Sequence, residues 1–251
     1  MSNSSLKLAN PPIVEAVLDL DCDLPPSLDF ALLRDAVKKT YGDRYPTIRP
    51  LFFQEAKIES KSDAAPQMSV RGGIQAFQCF DETEKQLVQV RAQGYSFNRL
   101  APYTSMDDYS PEIERTWNLF VELMSPVQVR VVRLRYINRI LLPLKKGQVE
   151  LKRYLRMNLR PADRKLMMTG FLNQYAAVDK ETGHELNVVV TSQPLENDQL
   201  PIIFHNCVAC VANVQPQEWN SIFAKIQSLR DLKNRVFENT LTEKCLSLFQ
   251  Q

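Results

Sequence analysis

Polar and apolar positions alternate cleanly from Ile13 to Cys22: Val14, Ala16, Leu18, Leu20 and Cys22 point to one side, Glu15, Asp19 and Asp21 to the other. A period of two marks a half-buried strand. Pro25-Pro26 ends it, and Asp29 stands where it can cap a helix through FALLRDAVKKTY as far as Gly42. Strands are predicted near Leu51–Ile58, Met68–Cys79 and Gln86–Phe97, joined by the turn-rich pieces SKSDAAP and DETEK. Ser110-Pro111-Glu112 then opens a helix with apolar positions 113, 117, 120, 121 and 124 on one face.

The same order begins again at once. Val127–Leu142 reads as a long strand and Gln148–Arg160 as a basic amphipathic helix. Strands follow near Met168–Val178, Glu185–Thr191 and Ile202–Val214, and a long helical region over 216–249 closes the chain. The pattern predicts an α+β fold of two pseudo-repeated halves, 11–125 and 126–250, each strand, helix, three strands, helix, with mainly antiparallel sheets. No linker separates them, so residues 1–251 are expected to form one compact domain with a cleft at the junction.

Charge changes this picture locally. The formal net charge is only +2, yet twelve basic residues lie between Val129 and Lys165, opposed only by Glu150 and Asp163. On the strand, Arg133, Arg135 and Arg139 share one face, while Val132, Leu134, Tyr136 and Ile140 share the other. On the expected helix, Lys152, Arg156 and Arg160 fall at i, i+4 and i+8, with Arg153 beside them. Guanidinium forks suit phosphate or carboxylate, which makes these residues a candidate site for an anion or a partner. For the strand arginines a second reading stands. If the first strands of the two halves pair, Glu15, Asp19 and Asp21 neutralise them in a cross-strand ladder.

Candidate chemistry is sparse. The chain has seven glycines, with Gly72-Gly73 the only adjacent pair, and two histidines, His184 and His205. It contains no phosphate-loop, dinucleotide, zinc-protease or nucleophile-elbow motif. His184 is expected in an exposed hairpin and His205 in the core. Met167-Met168 and Phe52-Phe53 read as core material. Five scattered cysteines do not form a disulfide framework, and Cys207 and Cys210, three apart on a strand, point to opposite faces. No apolar run matches a signal peptide or a membrane span, so the expected location is cytoplasmic. No cofactor and no metal site are expected.

Three segments taken together resemble a sporadically distributed family of prokaryotic proteins. They are Asn10-Pro11-Pro12-Ile13-Val14-Glu15-Ala16-Val17; Gly94-Tyr95-Ser96-Phe97-Asn98-Arg99-Leu100 with Pro102-Tyr103; and Arg133-Leu134-Arg135-Tyr136-Ile137-Asn138-Arg139-Ile140 with Pro143. The motifs cover residues 10–143, and the remainder fits by length and pattern. The resemblance implies a whole-chain domain with no assigned function and no catalytic residues to transfer. Its patchy distribution implies carriage on transferred cassettes such as phage-defence or toxin–antitoxin loci. Among the matching residues Glu15, Asn98, Arg99 and Asn138, with Arg135 and Arg139, are polar and lie on strands, which predicts a polar network at the junction, structural or ligand-binding.

The resulting expectation is a non-enzymatic binding or adaptor protein that acts through a protein partner, encoded in the same operon. A nucleotide- or nucleic-acid-binding module using residues 129–165 is the first alternative. An enzyme with a Tyr/Arg/carboxylate cleft is the second.

Overall fold

A computed structural model describes residues 8–26, 29–61, 64–145, 147–159, 161–163 and 165–250, with backbone alone for 55–71. The alternating segments become strands: β1 (Ile13–Asp23), β2 (Thr47–Lys61), β3 (Ala64–Phe80), β4 (Gln86–Arg91), β5 (Gly94–Leu100), β6 (Gln128–Pro143), β7 (Leu172–Val178), β8 (Glu185–Ser192) and β9 (Gln199–Val214). The helices are α1 (Arg34–Tyr41), α2 (Met106–Met124), α3 (Trp219–Thr240) and the short α4 (Glu243–Leu246). Among the described residues all strands join one antiparallel sheet in the order β2-β3-β4-β5-β1-β6-β9-β8-β7. The first strands of the two halves therefore lie side by side at its centre.

The helices pack on one face. Ile113, Trp117, Phe120 and Met124 of α2 and Ile222, Ile226 and Leu229 of α3 are buried against Leu18 and Leu20 of β1, Val132, Leu134 and Tyr136 of β6, and Phe204 and Val208 of β9. Trp117 donates its indole N–H to the Pro216 carbonyl at 3.0 Å, tying α2 to the approach to α3. Tyr95 and Tyr41 converge on Thr116, the first through its hydroxyl at 2.7 Å and the second donating to its carbonyl at 3.0 Å. Buried phenols need such partners.

Four local expectations change. The segment expected as one strand over Gln86–Phe97 is a hairpin, β4–β5, so the first half has four strands after its helix. Gly94 makes the turn back at φ 139°, where a Cβ would stand 2.1 Å from the Leu20 carbonyl oxygen of β1. Helix α2 starts at Met106, capped by Ser105, which accepts from the Asp108 N–H at 3.3 Å; Pro111 lies inside it. The helix expected over Gln148–Arg160 reduces to a 3-10 turn at Leu151–Arg153. Tyr154 and Leu155 are buried there, and a bridge from Leu155 to Leu241 pins the segment to the end of α3. Tertiary contacts override local helical spacing where the chain is held on both sides. Finally, the closing helical region breaks at Leu241, where α3 ends and Thr242 caps α4.

Gly94→Ala is expected to cost at least about 2 kcal/mol in urea unfolding, because the added methyl meets backbone in a disallowed conformation. Gly183→Ala, at φ 72° with nothing within 4 Å of its would-be Cβ, is expected to cost about 1 kcal/mol. Equal losses would mean that the close approach to β1 contributes nothing.

Candidate functional site

The open face of the sheet shows where the basic strand points. β1 and β6 pair with Asp19 opposite Arg133 and Val17 opposite Arg135. Arg135 donates its Nε to Asp19 at 3.0 Å and Arg133 reaches Asp21 at 3.2 Å, both on the diagonal. Arg91 of β4 approaches Asp21 at 2.8 Å, and Ser96 of β5 donates to Asp19 at 2.5 Å. Arg139 pairs with Glu196, and Arg130 with Asp23 at 2.9 Å. The acidic first strand thus neutralises Arg133 and Arg135 through Asp19 and Asp21, whereas Arg139 takes Glu196 from the β8–β9 connection and Glu15 takes Asn98; Asp19 is only 4% exposed. A hollow of about 340 Å³ lies over this ladder, between Arg133 and Arg135 and the base of the β2–β3 hairpin at Leu51 and Gln75.

The expected junction network divides between the two faces. Asn98 donates to Glu15 at 2.8 Å and accepts from Gln89 at 3.0 Å on the open face. Arg99 points the other way, its Nε 3.1 Å from the Tyr109 hydroxyl and its guanidinium over that ring. Asn138 also faces the helices, donating to the Phe204 carbonyl at 3.0 Å. Adjacent residues on a strand point to opposite sides, so Asn98 and Arg99, or Asn138 and Arg139, cannot serve one site together.

The expected basic stripe does not form, because the helix that would align it is absent. Lys152, Arg153 and Arg156 are exposed; Arg153 lies 3.7 Å from Glu150, and Arg156 borders a groove beside Arg235 and Tyr175. Arg160 lies outside the described residues. All five cysteines are free, and Cys207 and Cys210 face opposite sides as expected, with burial pushing both thiols up. His184 ends the β7–β8 hairpin, half-buried, with its Nε2 2.8 Å from Ser228. His205 is not a core residue: it is half-buried on the open face, and its Nε2 has no hydrogen-bond partner. Burial and then the Arg135 charge hold its pKa below the usual value.

On the helix side the junction opens into a cleft of about 580 Å³. Its walls come from four places: Leu8–Ile13 before β1, Tyr103–Asp108 at the start of α2, Tyr136 and Asn138 of β6, and Arg230, Lys233 and Phe237 of α3. Residues from three separate stretches of the chain meet here, namely Pro11 and Pro12, Tyr103, and Tyr136 with Asn138. Arg230 grips Asp107 with both terminal nitrogens, at 2.6 and 2.9 Å. Tyr103 and Tyr136 share a hydroxyl contact at 3.2 Å. Lys233 holds its ammonium 4.0 Å from the centre of the Tyr136 ring. Burial, then the Arg230 charge, push the Lys233 pKa down to about 7, against a smaller opposing effect of Glu238.

Lys233 and Arg230 were not among the residues singled out from the sequence, although a signal is present. In α3 the buried positions are 222, 226, 229, 232, 237 and 240, and 233, next to Leu232 and four before Phe237, lies on the edge of that face. A lysine on an otherwise apolar stripe marks a charge turned toward the interior.

The third feature is the β2–β3 hairpin. β4 pairs with β3 only over Ala76–Phe80, whereas β2 and β3 remain paired out to Lys61 and Ala64. The distal part, roughly 30 Å long at ~3.3 Å per residue, has no neighbouring strand on either edge among the described residues. Phe52 and Phe53, expected in the core, stand at its root, Phe52 64% exposed. The Phe53 ring lies over Gly73, whose missing side chain makes room for it. Met167 and Met168 are likewise exposed. Gly73 thus serves ring packing while Gly72 lies against the Phe53 carbonyl, and both stand within β3 and form no phosphate loop.

Comparison with family models, with curated proteins and with solved structures finds no match.

Two outcomes are expected. Asp19→Ala, which strands Arg135 and Ser96, should cost about 2–3 kcal/mol, whereas Glu196→Ala, in an exposed pair, should cost under about 1 kcal/mol. Denaturant titration of both variants checks the ranking. For Lys233, the unfolded chain binds a proton between about pH 7 and the ordinary lysine pKa of 10.5 that the folded chain does not, so its burial destabilises most at low pH. Lys233→Met should therefore raise the melting temperature over wild type at pH 6–7, by an amount that shrinks toward zero near pH 10.

Proposed function

We propose that this protein is a non-enzymatic binding protein that acts through a protein partner, with the β2–β3 ribbon as its docking element. The exposed aromatic root of that ribbon carries the reading. A two-stranded ribbon without further neighbours is marginal in water, and large exposed apolar side chains at its base favour a protein surface over solvent. The Asp–Arg ladder beside it supplies a polar rim. The nucleic-acid alternative loses support, since the strand arginines are engaged by carboxylates and the helical stripe is absent. Phosphate binding needs basic groups free of protein counter-charges. Among the described residues no group of three metal-ligating side chains occurs, and no helix is long and apolar enough to cross a membrane.

The two halves support a duplicated origin. In each, the first strand pairs with the last, β1 with β5 and β6 with β9, and a meander runs outward from that pair. The family resemblance leads us to place the partner in the same operon, within a defence or toxin–antitoxin system working in the cytoplasm.

Native mass spectrometry of the protein co-expressed with its neighbouring genes tests this. The expected result is a stoichiometric polypeptide increment that disappears in Phe52→Asp, while the variant melts within about 2 °C of wild type. A bare subunit mass for the wild type overturns the reading, and an increment of nucleotide mass that falls away with salt restores the alternative.

A further inference from the structure

The cleft on the helix side is independent of the ribbon and has a built polar centre. Its volume of about 580 Å³ falls in the range of small-molecule sites, ~300–1,000 Å³. Met106, Tyr136 and Phe237, nearly all of whose surface is buried, present an apolar lining. Two cations enter it, and they differ. Arg230 is matched by Asp107 in a bidentate pair. Lys233 makes no ion pair among the described residues; its ammonium rests on the Tyr136 ring alone. Lys233 is half-buried, and a cation over an aromatic face is held but not neutralised. The cleft therefore presents, beside an apolar lining, one cation that has no contact ion pair among the described residues, with the carboxylates of Asp108 and Glu238 elsewhere on its wall.

We propose that this cleft binds a small amphipathic monoanion, its aromatic or alkyl body against Met106, Tyr136 and Phe237 and its carboxylate or sulfonate facing Lys233. The negative groups present set the charge of the ligand. Asp108 on α2 is exposed and Glu238 on α3 also lines the cleft. Their repulsion disfavours a di- or triphosphate while leaving room for a single charge.

Binding is also coupled to a proton. With the free lysine near pH 7, an anion that requires the ammonium form loses affinity about tenfold per pH unit above that value. The other charged groups facing the cleft are Arg230 and Glu238 on α3 and Asp107 and Asp108 on α2. The phenols of Tyr103 and Tyr136 are pushed above their ordinary value by burial. All of them are retained in Lys233→Met, so the difference between variant and wild type isolates the lysine.

The test uses two fluorescent probes of the same shape on the full chain: 8-anilinonaphthalene-1-sulfonate and its uncharged counterpart N-phenyl-1-naphthylamine. The expected result is one-to-one binding of the sulfonate, weakening steeply between pH 6 and 9. In Lys233→Met, sulfonate affinity should fall by about tenfold or more, lose its pH dependence, and approach that of the neutral probe. Phe52→Asp should leave both affinities unchanged, which separates this site from the ribbon. No stoichiometric sulfonate binding by the wild type overturns the proposal. So does sulfonate binding that survives Lys233→Met undiminished, or that moves with Phe52→Asp.

Discussion

Pairing of β1 with β6 is the constraint from which the remaining architecture follows. These strands open the two halves, and their ladder turns two small sheets into one. On the helix face the register sets Leu18 opposite Leu134 and Ala16 opposite Tyr136; on the open face it brings Asp19 and Asp21 to Arg133 and Arg135. A slip of one residue would carry the aspartates into the apolar layer and the leucines out of it. The ion pairs therefore act most on register. Their net contribution to stability is limited by desolvation, while a single unpaired member would be costly.

The cleft is a consequence of that junction. Just before β1 the chain runs along β6, where the Arg139 N–H donates to the Pro12 carbonyl at 2.8 Å. Helix α2 comes from the first half and α3 from the second, and between them the helix layer parts over Tyr136. Neither half alone supplies the walls. Lys233 is the physical signature of the place: a long cationic side chain drawn over an aromatic ring by the packing of its own helix, with the nearby arginine already matched.

The ribbon shows the opposite economy. Its backbone is satisfied only within the hairpin, and the aromatic residues at its root remain in water. Cleft and ribbon lie on different elements, one lined by charged and apolar side chains beneath the helices, the other carrying exposed aromatic residues at its root.

Much of this was legible in the residues themselves. Strict alternation along Ile13–Cys22 and Val127–Leu142 determined two strands, which face of each is apolar, and which charges lie on the other, because side chains on a strand have no choice of side once the core face is chosen. The same rule already separates Asn98 from Arg99 and Cys207 from Cys210. Local pattern failed where a segment is held from outside. Gln148–Arg160 has helical spacing, yet Leu155 is tied to Leu241 and only a 3-10 turn at Leu151–Arg153 remains. Phe52 and Phe53 look like core because hydrophobicity reports a preference for burial and not whether any neighbour exists to provide it. Only the tertiary structure decided that the arginines meet carboxylates distant in sequence, that one lysine of α3 faces inward beside a matched arginine, and that three separated segments enclose one cleft. Those are relations between elements, set by strand order and register, and a period along one segment carries no information about them.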